Sequence, residues 1–310
     1  MTAHKLDETA AGVFVISATP FTDDGSLDLD SVDGLVEFYL EKGVSGITVL
    51  GMMGEAQKMA PDESETFLER FLRRVDGRVQ VVVGVSNAGV DNLVRLSRFS
   101  MDHGAAGVMI APLAGLFTEA KIYRYFVQVF AALGDDVPVC YQDYPFATRT
   151  EISVVLFNRL VEEFGQLVML KHEECPGLSK VSAVRRGSDE GLRRVSLLVG
   201  NGGLYLPQEL ARGADGAMTG FAYPEMLVKV VALHAAGEQD KAEDLFDAYL
   251  PLVRHEQQPG FGMALRKEVL YRRGAIASPR LRAPGASLSD IDHQELTRLI
   301  GRVERNVEAL

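Results

Sequence analysis

The stretch His103-Gly104-Ala105-Ala106-Gly107-Val108-Met109-Ile110-Ala111 decides the architecture of this chain. A glycine after an amphipathic segment is the residue expected where a helix ends in the left-handed conformation. The apolar run that follows, Gly107–Ala111, has the length of a strand. The same punctuation stands at Lys42-Gly43-Val44-Ser45-Gly46 and at Arg212-Gly213-Ala214-Asp215-Gly216. Outward from it, short apolar runs recur at Val13–Ala18, Gly46–Leu50, Val79–Val83, Gly107–Ala111, Val137–Cys140, Leu167–Leu170, Val195–Val199 and Gly216–Thr219. Between them, Leu29–Lys42, Glu63–Val75, Asp91–His103, Thr118–Leu133 and Ile152–Glu163 carry helical periodicity with charges on one face.

Runs such as Gln80-Val81-Val82-Val83-Gly84-Val85 are almost continuously apolar, the mark of parallel strands buried on both faces. Eight strand–helix units imply an α/β fold closed into a (β/α)₈ barrel. No dinucleotide fingerprint follows the first run, which removes the main argument for an open sheet. After Thr219 the pattern is helical only, at Met226–Ala236, Gln239–His255, Gly262–Arg273 and Ser289–Val307. The first of these is expected to close a barrel of residues 1–236. Residues 237–310 then form a C-terminal helical appendage, too small for a core of its own and packed on the barrel as one structural unit.

The totals agree with this reading. The 310 residues are 47% hydrophobic and 24% charged, a globular composition. A net charge of −11 speaks against nucleic acid or an anionic membrane as partner, and requires local donors for any anionic substrate. Cys140 and Cys175 have no metal-type spacing and read as reduced thiols. The polar first ten residues carry no secretory h-region, and no apolar run approaches the roughly 18 residues of a membrane span. A cytoplasmic protein is the expectation.

In such a barrel the active site lies at the C-terminal ends of the strands. The sixth run continues Leu170-Lys171-His172-Glu173-Glu174. A lysine extending a buried strand is costly unless it is paired or reactive. Burial lowers an amine's pKa, the condition that imine formation needs. A snorkelling lysine is the plainer alternative. Alternation puts Glu173 on the same side, about 6–7 Å along the strand, where it could move protons next to an imine or merely hold the lysine. His172 points the other way and reads as structural.

After the second run, Gly51-Met52-Met53-Gly54-Glu55 can offer the amides of Met52 and Met53 to a small carboxylate. Gln142, Asp143 and Tyr144 after the fifth run, Asn201 after the seventh and Thr219 at the eighth are the remaining candidates for substrate recognition.

Together these pieces resemble the dihydrodipicolinate synthase / N-acetylneuraminate lyase family of Schiff-base lyases. The resemblance spans nearly the whole chain. It includes Thr19-Pro20-Phe21 with Asp24-Gly25-Ser26, the Gly51–Glu55 loop at the family's GTTGE position, Lys171 at its Schiff-base lysine, and a closing segment from Arg266 to Pro284. It implies an imine at Lys171, a 2-keto acid substrate, no metal or other cofactor, and a homotetramer.

Departures narrow the activity. The synthase's proton relay uses a YNxP tyrosine, a loop threonine and a tyrosine after the fourth strand. Here Gln142, Met53 or Met52, and Pro112-Leu113-Ala114 stand at those places, and its substrate-binding arginine is Ala147. Lys171-x-Glu173 with Gln142-Asp143-x-Pro145 and Gly54-Glu55-Ala56-Gln57-Lys58 looks instead like the sugar-acid dehydratase branch, in particular the 2-keto-3-deoxy-L-arabonate dehydratases. Lys171 and Glu173 are then the catalytic pair. A pyruvate-dependent aldolase, with Tyr141 or Tyr144 supplying the missing hydroxyl, is the first alternative. A non-catalytic keto-acid-binding barrel is the second.

Overall fold

The computed structural model describes residues 5–310, so residues 1–4 of the polar N-terminus lie outside the described residues. Eight strands form the framework: β1 Gly12–Ile16, β2 Gly46–Val49, β3 Gln80–Gly84, β4 Gly107–Ile110, β5 Val139–Asp143, β6 Leu167–His172, β7 Ser196–Val199 and β8 Gly216–Thr219. Every neighbouring pair is parallel, and β8 returns to β1 to close the barrel. Closure needs glycine. A Cβ on Gly216 would stand 1.8 Å from the Gly12 carbonyl oxygen. Gly104, in the stretch that set the pattern, takes φ +94° and turns the chain from helix into β4.

The helices between strands are α1 Leu29–Glu41, α2 Pro61–Val75, α3 Val90–Asp102, α4 Glu119–Leu133, the single turn α5 Pro145–Thr148, α6 Val154–Glu163, α7 Leu178–Asp189 and the short α8 Leu206–Ala211. Then come α9 Pro224–Ala235, α10 Gln239–Glu256, α11 Gly262–Arg272 and α12 Asp290–Glu308. The strands read as uniformly apolar because both faces are covered. Phe14 fills the barrel interior against Gly46, where a Cβ would lie 2.3 Å from its ring, while Tyr141 points outward to the rings of Phe126 on α4 and Phe157 on α6. Each such fully buried aromatic contributes about 1.5–3 kcal/mol. Leu252 and Val253 on α10, Leu265 and Val269 on α11, and Val303 on α12 join the same continuous core. Among the described residues no helix is long and apolar enough to cross a membrane.

Two strands run further than the apolar pattern. β5 reaches Asp143 and β6 reaches His172, where the hydrophobic runs end at Cys140 and Leu170. The polar residues remain in the sheet because each finds a partner inside the protein. That extension places the chemistry.

Candidate active site

Lys171 and Gln142 face one another across the β5–β6 ladder. Both point into the barrel mouth and line a cavity of about 1240 Å³. Glu173 follows one residue beyond β6, its amide held by the Asp143 carbonyl at 2.8 Å. Its Oε2 lies 2.9 Å from Lys171 Nζ and accepts from Gln142 Nε2 at 2.7 Å. The lysine and glutamate side chains are only 6% and 10% exposed. Water therefore screens this pair weakly, and the charge of one fixes the position of the other.

The β7 end is shaped around the carboxylate. Gly200 donates its amide to the His172 carbonyl at 2.9 Å, and a Cβ there would stand 2.3 Å from Glu173 Cγ. Asn201 Nδ2 donates to the Glu173 backbone carbonyl at 3.0 Å. Tyr144 caps the single turn α5 and lines the same cavity, as do Asn201, Met52, Met53 and Thr219. The Tyr144 hydroxyl is held above its ordinary pKa by burial first, with the Glu173 charge adding to it and Arg266 opposing.

Asp143 does not join them. Alternation turns it to the outer face of the barrel, where its carboxylate meets Lys180 at 2.8 Å and lies 3.4 Å from His172 Nδ1. His172 Nε2 is 3.1 Å from the Gly177 carbonyl. Lys180 also reaches Glu174 at 2.5 Å. Asp143, expected at the substrate rim, is instead part of a buried outer network that ties the ends of β5 and β6 to α7. Tyr141 is likewise removed from the cavity, its hydroxyl buried outside the barrel.

The Gly51–Glu55 loop is locked from several sides. Leu50 and Glu55 both have positive φ, +53° and +52°, a conformation that costs about 1–3 kcal/mol per non-glycine residue and persists only where surroundings enforce it. Thr19 Oγ1 donates to the Gly54 carbonyl at 2.7 Å. Glu55, fully buried, receives Lys267 of α11 at 2.9 Å, Lys58 at 2.8 Å and the Arg282 amide at 3.0 Å. Gly220 leaves room for the Met53 thioether, since a Cβ there would sit 2.2 Å from its sulfur. Among the described residues the Met52 and Met53 amides donate to no backbone carbonyl.

Sequence reasoning missed the wall built by the appendage. Glu256, Gln257 and Arg266 line the cavity, with Arg266 Nε 3.3 Å from Glu256 Oε2. Nothing in strand periodicity points to them, because only the docking of α10 and α11 on the barrel brings them there.

The fold is thus a closed parallel barrel with a buried lysine–carboxylate pair at its strand ends. The dihydrodipicolinate synthetase family model matches residues 9–303, and the chain belongs to that family. Among characterised relatives, an L-2-keto-3-deoxyarabonate dehydratase of Azospirillum brasilense is 29% identical over 304 residues, covering 94% of each chain. A 4-hydroxy-tetrahydrodipicolinate synthase of Methanococcus maripaludis is 30% identical over 246 residues, 78% of this chain and 82% of the relative. Among solved structures, one described as dihydrodipicolinate synthase from Rhodopseudomonas palustris superposes with a TM-score of 0.95 at 48% identity, covering 97% of this chain and all of that one.

Proposed function

We propose that the chain is a hydro-lyase that dehydrates a 2-keto-3-deoxy sugar acid through an imine at Lys171. The observation that carries the reading is the contact of Lys171 Nζ with Glu173 Oε2 at 2.9 Å inside a cavity whose loop bears Met52 and Met53. A thioether transfers no proton, so the carboxylate is the base nearest the amine. The full-length similarity to the arabonate dehydratase supports the same reading.

Glu173 takes a proton from the Lys171 ammonium, and the free amine attacks the C2 ketone. The ketone oxygen leaves as water with one proton from the attacking nitrogen and one from Glu173, so the imine is left protonated and Glu173 is again a carboxylate. That imine draws electrons from C3, Glu173 removes a C3 proton and passes it to the C4 hydroxyl, which leaves as water, and hydrolysis of the imine returns Lys171. The Met52 and Met53 amides hold the C1 carboxylate. Gln142 keeps Glu173 turned towards the lysine.

An aldolase or synthase reading has two observations in its favour. Tyr144 brings a hydroxyl to the cavity beside Glu173, and the 48%-identical structure bears a synthase description. Product analysis separates the two. Incubated with a 2-keto-3-deoxypentonate, a hydro-lyase yields a product one water lighter and no pyruvate. Release of pyruvate at a comparable rate would replace the dehydratase reading with the aldolase one.

A further inference from the structure

The C-terminal helices give the cavity a second polar pole. Arg266 on α11 donates its Nε to Glu256 Oε2, and among the described residues its two terminal nitrogens meet no protein acceptor, although its side chain is only 16% exposed. Gln257 Nε2 and Glu256 Oε1 are buried and also make no hydrogen bond among the described residues. Folded proteins seldom leave a buried donor such as Gln257 Nε2 unmatched, and where they do, a ligand or water supplies the acceptor. All three side chains line the cavity that holds Lys171.

The loop after β7 sets the spacing between the poles. Gly200 abuts Glu173, and two residues on, Gly202 abuts the other side, where a Cβ would stand 1.8 Å from Gln257 Nε2 and 3.3 Å from Arg266 Nη2. One turn of chain thus separates the carboxylate at the reacting carbons from the free donors. Tyr144, which lines the same cavity, lies within electrostatic range of both Glu173 and Arg266.

We infer that Arg266 and Gln257 hold the oxygen-bearing far end of the substrate whose keto end is bound at Lys171, so that they set chain length and terminus. This rests on the reading of Lys171 as the imine-forming residue. A donor pair recognises acceptor oxygens. A guanidinium fork takes a terminal carboxylate through two bonds and a hydroxyl oxygen through one. Burial pushes the Glu256 carboxyl up to about 7, with Arg266 opposing, so near neutral pH the arginine's charge is only partly balanced from within the protein.

The experiment measures borohydride trapping against concentration for pyruvate, a 2-keto-3-deoxypentonate and a 2-keto-3-deoxyhexarate. The wild type is compared with Arg266→Met, Arg266→Lys and Gln257→Leu. Pyruvate has no far end. The ratio of half-saturating concentrations, long acid over pyruvate, is expected to rise ten- to a hundred-fold in Arg266→Met, the order of one lost charge-assisted hydrogen bond. Arg266→Lys should restore part of it, and Gln257→Leu should raise it several-fold. The long acid that suffers the larger rise identifies the terminus, hydroxyl or carboxylate. Among the described residues Gln257 makes no hydrogen bond through its Nε2, so its leucine variant keeps the test open if Arg266→Met fails to fold. An unchanged ratio in Arg266→Met and Gln257→Leu, or an equal loss on pyruvate and long acids, overturns the inference. Wild-type protein that traps none of the three would instead overturn the imine reading on which it stands.

Discussion

Glu173 Oε2 lies 2.9 Å from Lys171 Nζ and at the same time accepts the Gln142 amide at 2.7 Å. One carboxylate oxygen thus touches the proposed nucleophile and is oriented by a neutral donor from the adjacent strand. In a site this buried, removing the carboxylate leaves both the lysine and the amide without their partner. Replacing Glu173 with Gln is expected to lower kcat by about 10²–10⁴, the usual span for a positioned acid–base group, while imine trapping at Lys171 persists. Full turnover in that variant would assign proton transfer to another group, with Tyr144 first in line.

Gly200 makes a stricter geometric test. A methyl group there must push Glu173 Cγ from its present place, because 2.3 Å is far inside contact distance. Gly200→Ala should therefore reduce kcat by roughly ten-fold or more, since a shift of about 1 Å in a catalytic group has effects of that order. Circular dichroism and Tm would check that the barrel is intact. Wild-type kinetics would mean that Glu173 has room to move without consequence.

The barrel and its eight strands were legible from glycine punctuation and apolar runs, whereas for Lys171 the pattern left a snorkelling side chain open. The ends of β5 and β6 were less legible. Hydrophobicity stops at Cys140 and Leu170, yet the strands continue because Gln142 and Lys171 share Glu173, and Asp143 meets His172 and Lys180. Strict alternation through β5 separates Gln142, facing in, from Asp143, facing out. Reading 142–144 as one rim overlooked that. The buried Lys267–Glu55 pair joins residues 212 positions apart, and local patterns carry no trace of such a contact.

That distant pair governs the loop bearing Met52 and Met53. Lys267 is wholly buried, and burial lowers its amine to about pH 8 against the opposing pull of Glu55. Lys267→Met leaves Glu55 buried with Lys58 and one backbone amide, and should destabilise the fold by about 3–5 kcal/mol. Denaturant unfolding measures this. A loss under about 1 kcal/mol would show that Lys58 alone satisfies the carboxylate.

Glu209 on α8 predicts a pH dependence of stability. Burial alone raises its carboxyl to about 8, and among the described residues its Oε2 has no hydrogen-bond partner. The unfolded chain releases this proton near pH 4.3, whereas the folded chain keeps it up to about 8. Within that window the native state binds more protons, so this residue makes stability fall as pH rises. Glu209→Gln removes the dependence. Its Tm should exceed that of the wild type by a few degrees at pH 8 and match it near pH 4.5. Equal melting temperatures at pH 8 would place a compensating donor beside Glu209.

The most direct test of the account is peptide mapping after borohydride reduction in the presence of pyruvate or a 2-keto-3-deoxypentonate. The account predicts a single covalent adduct on Lys171, lost in Lys171→Ala and retained in Glu173→Gln. An unmodified Lys171, or an adduct on another lysine, would contradict it.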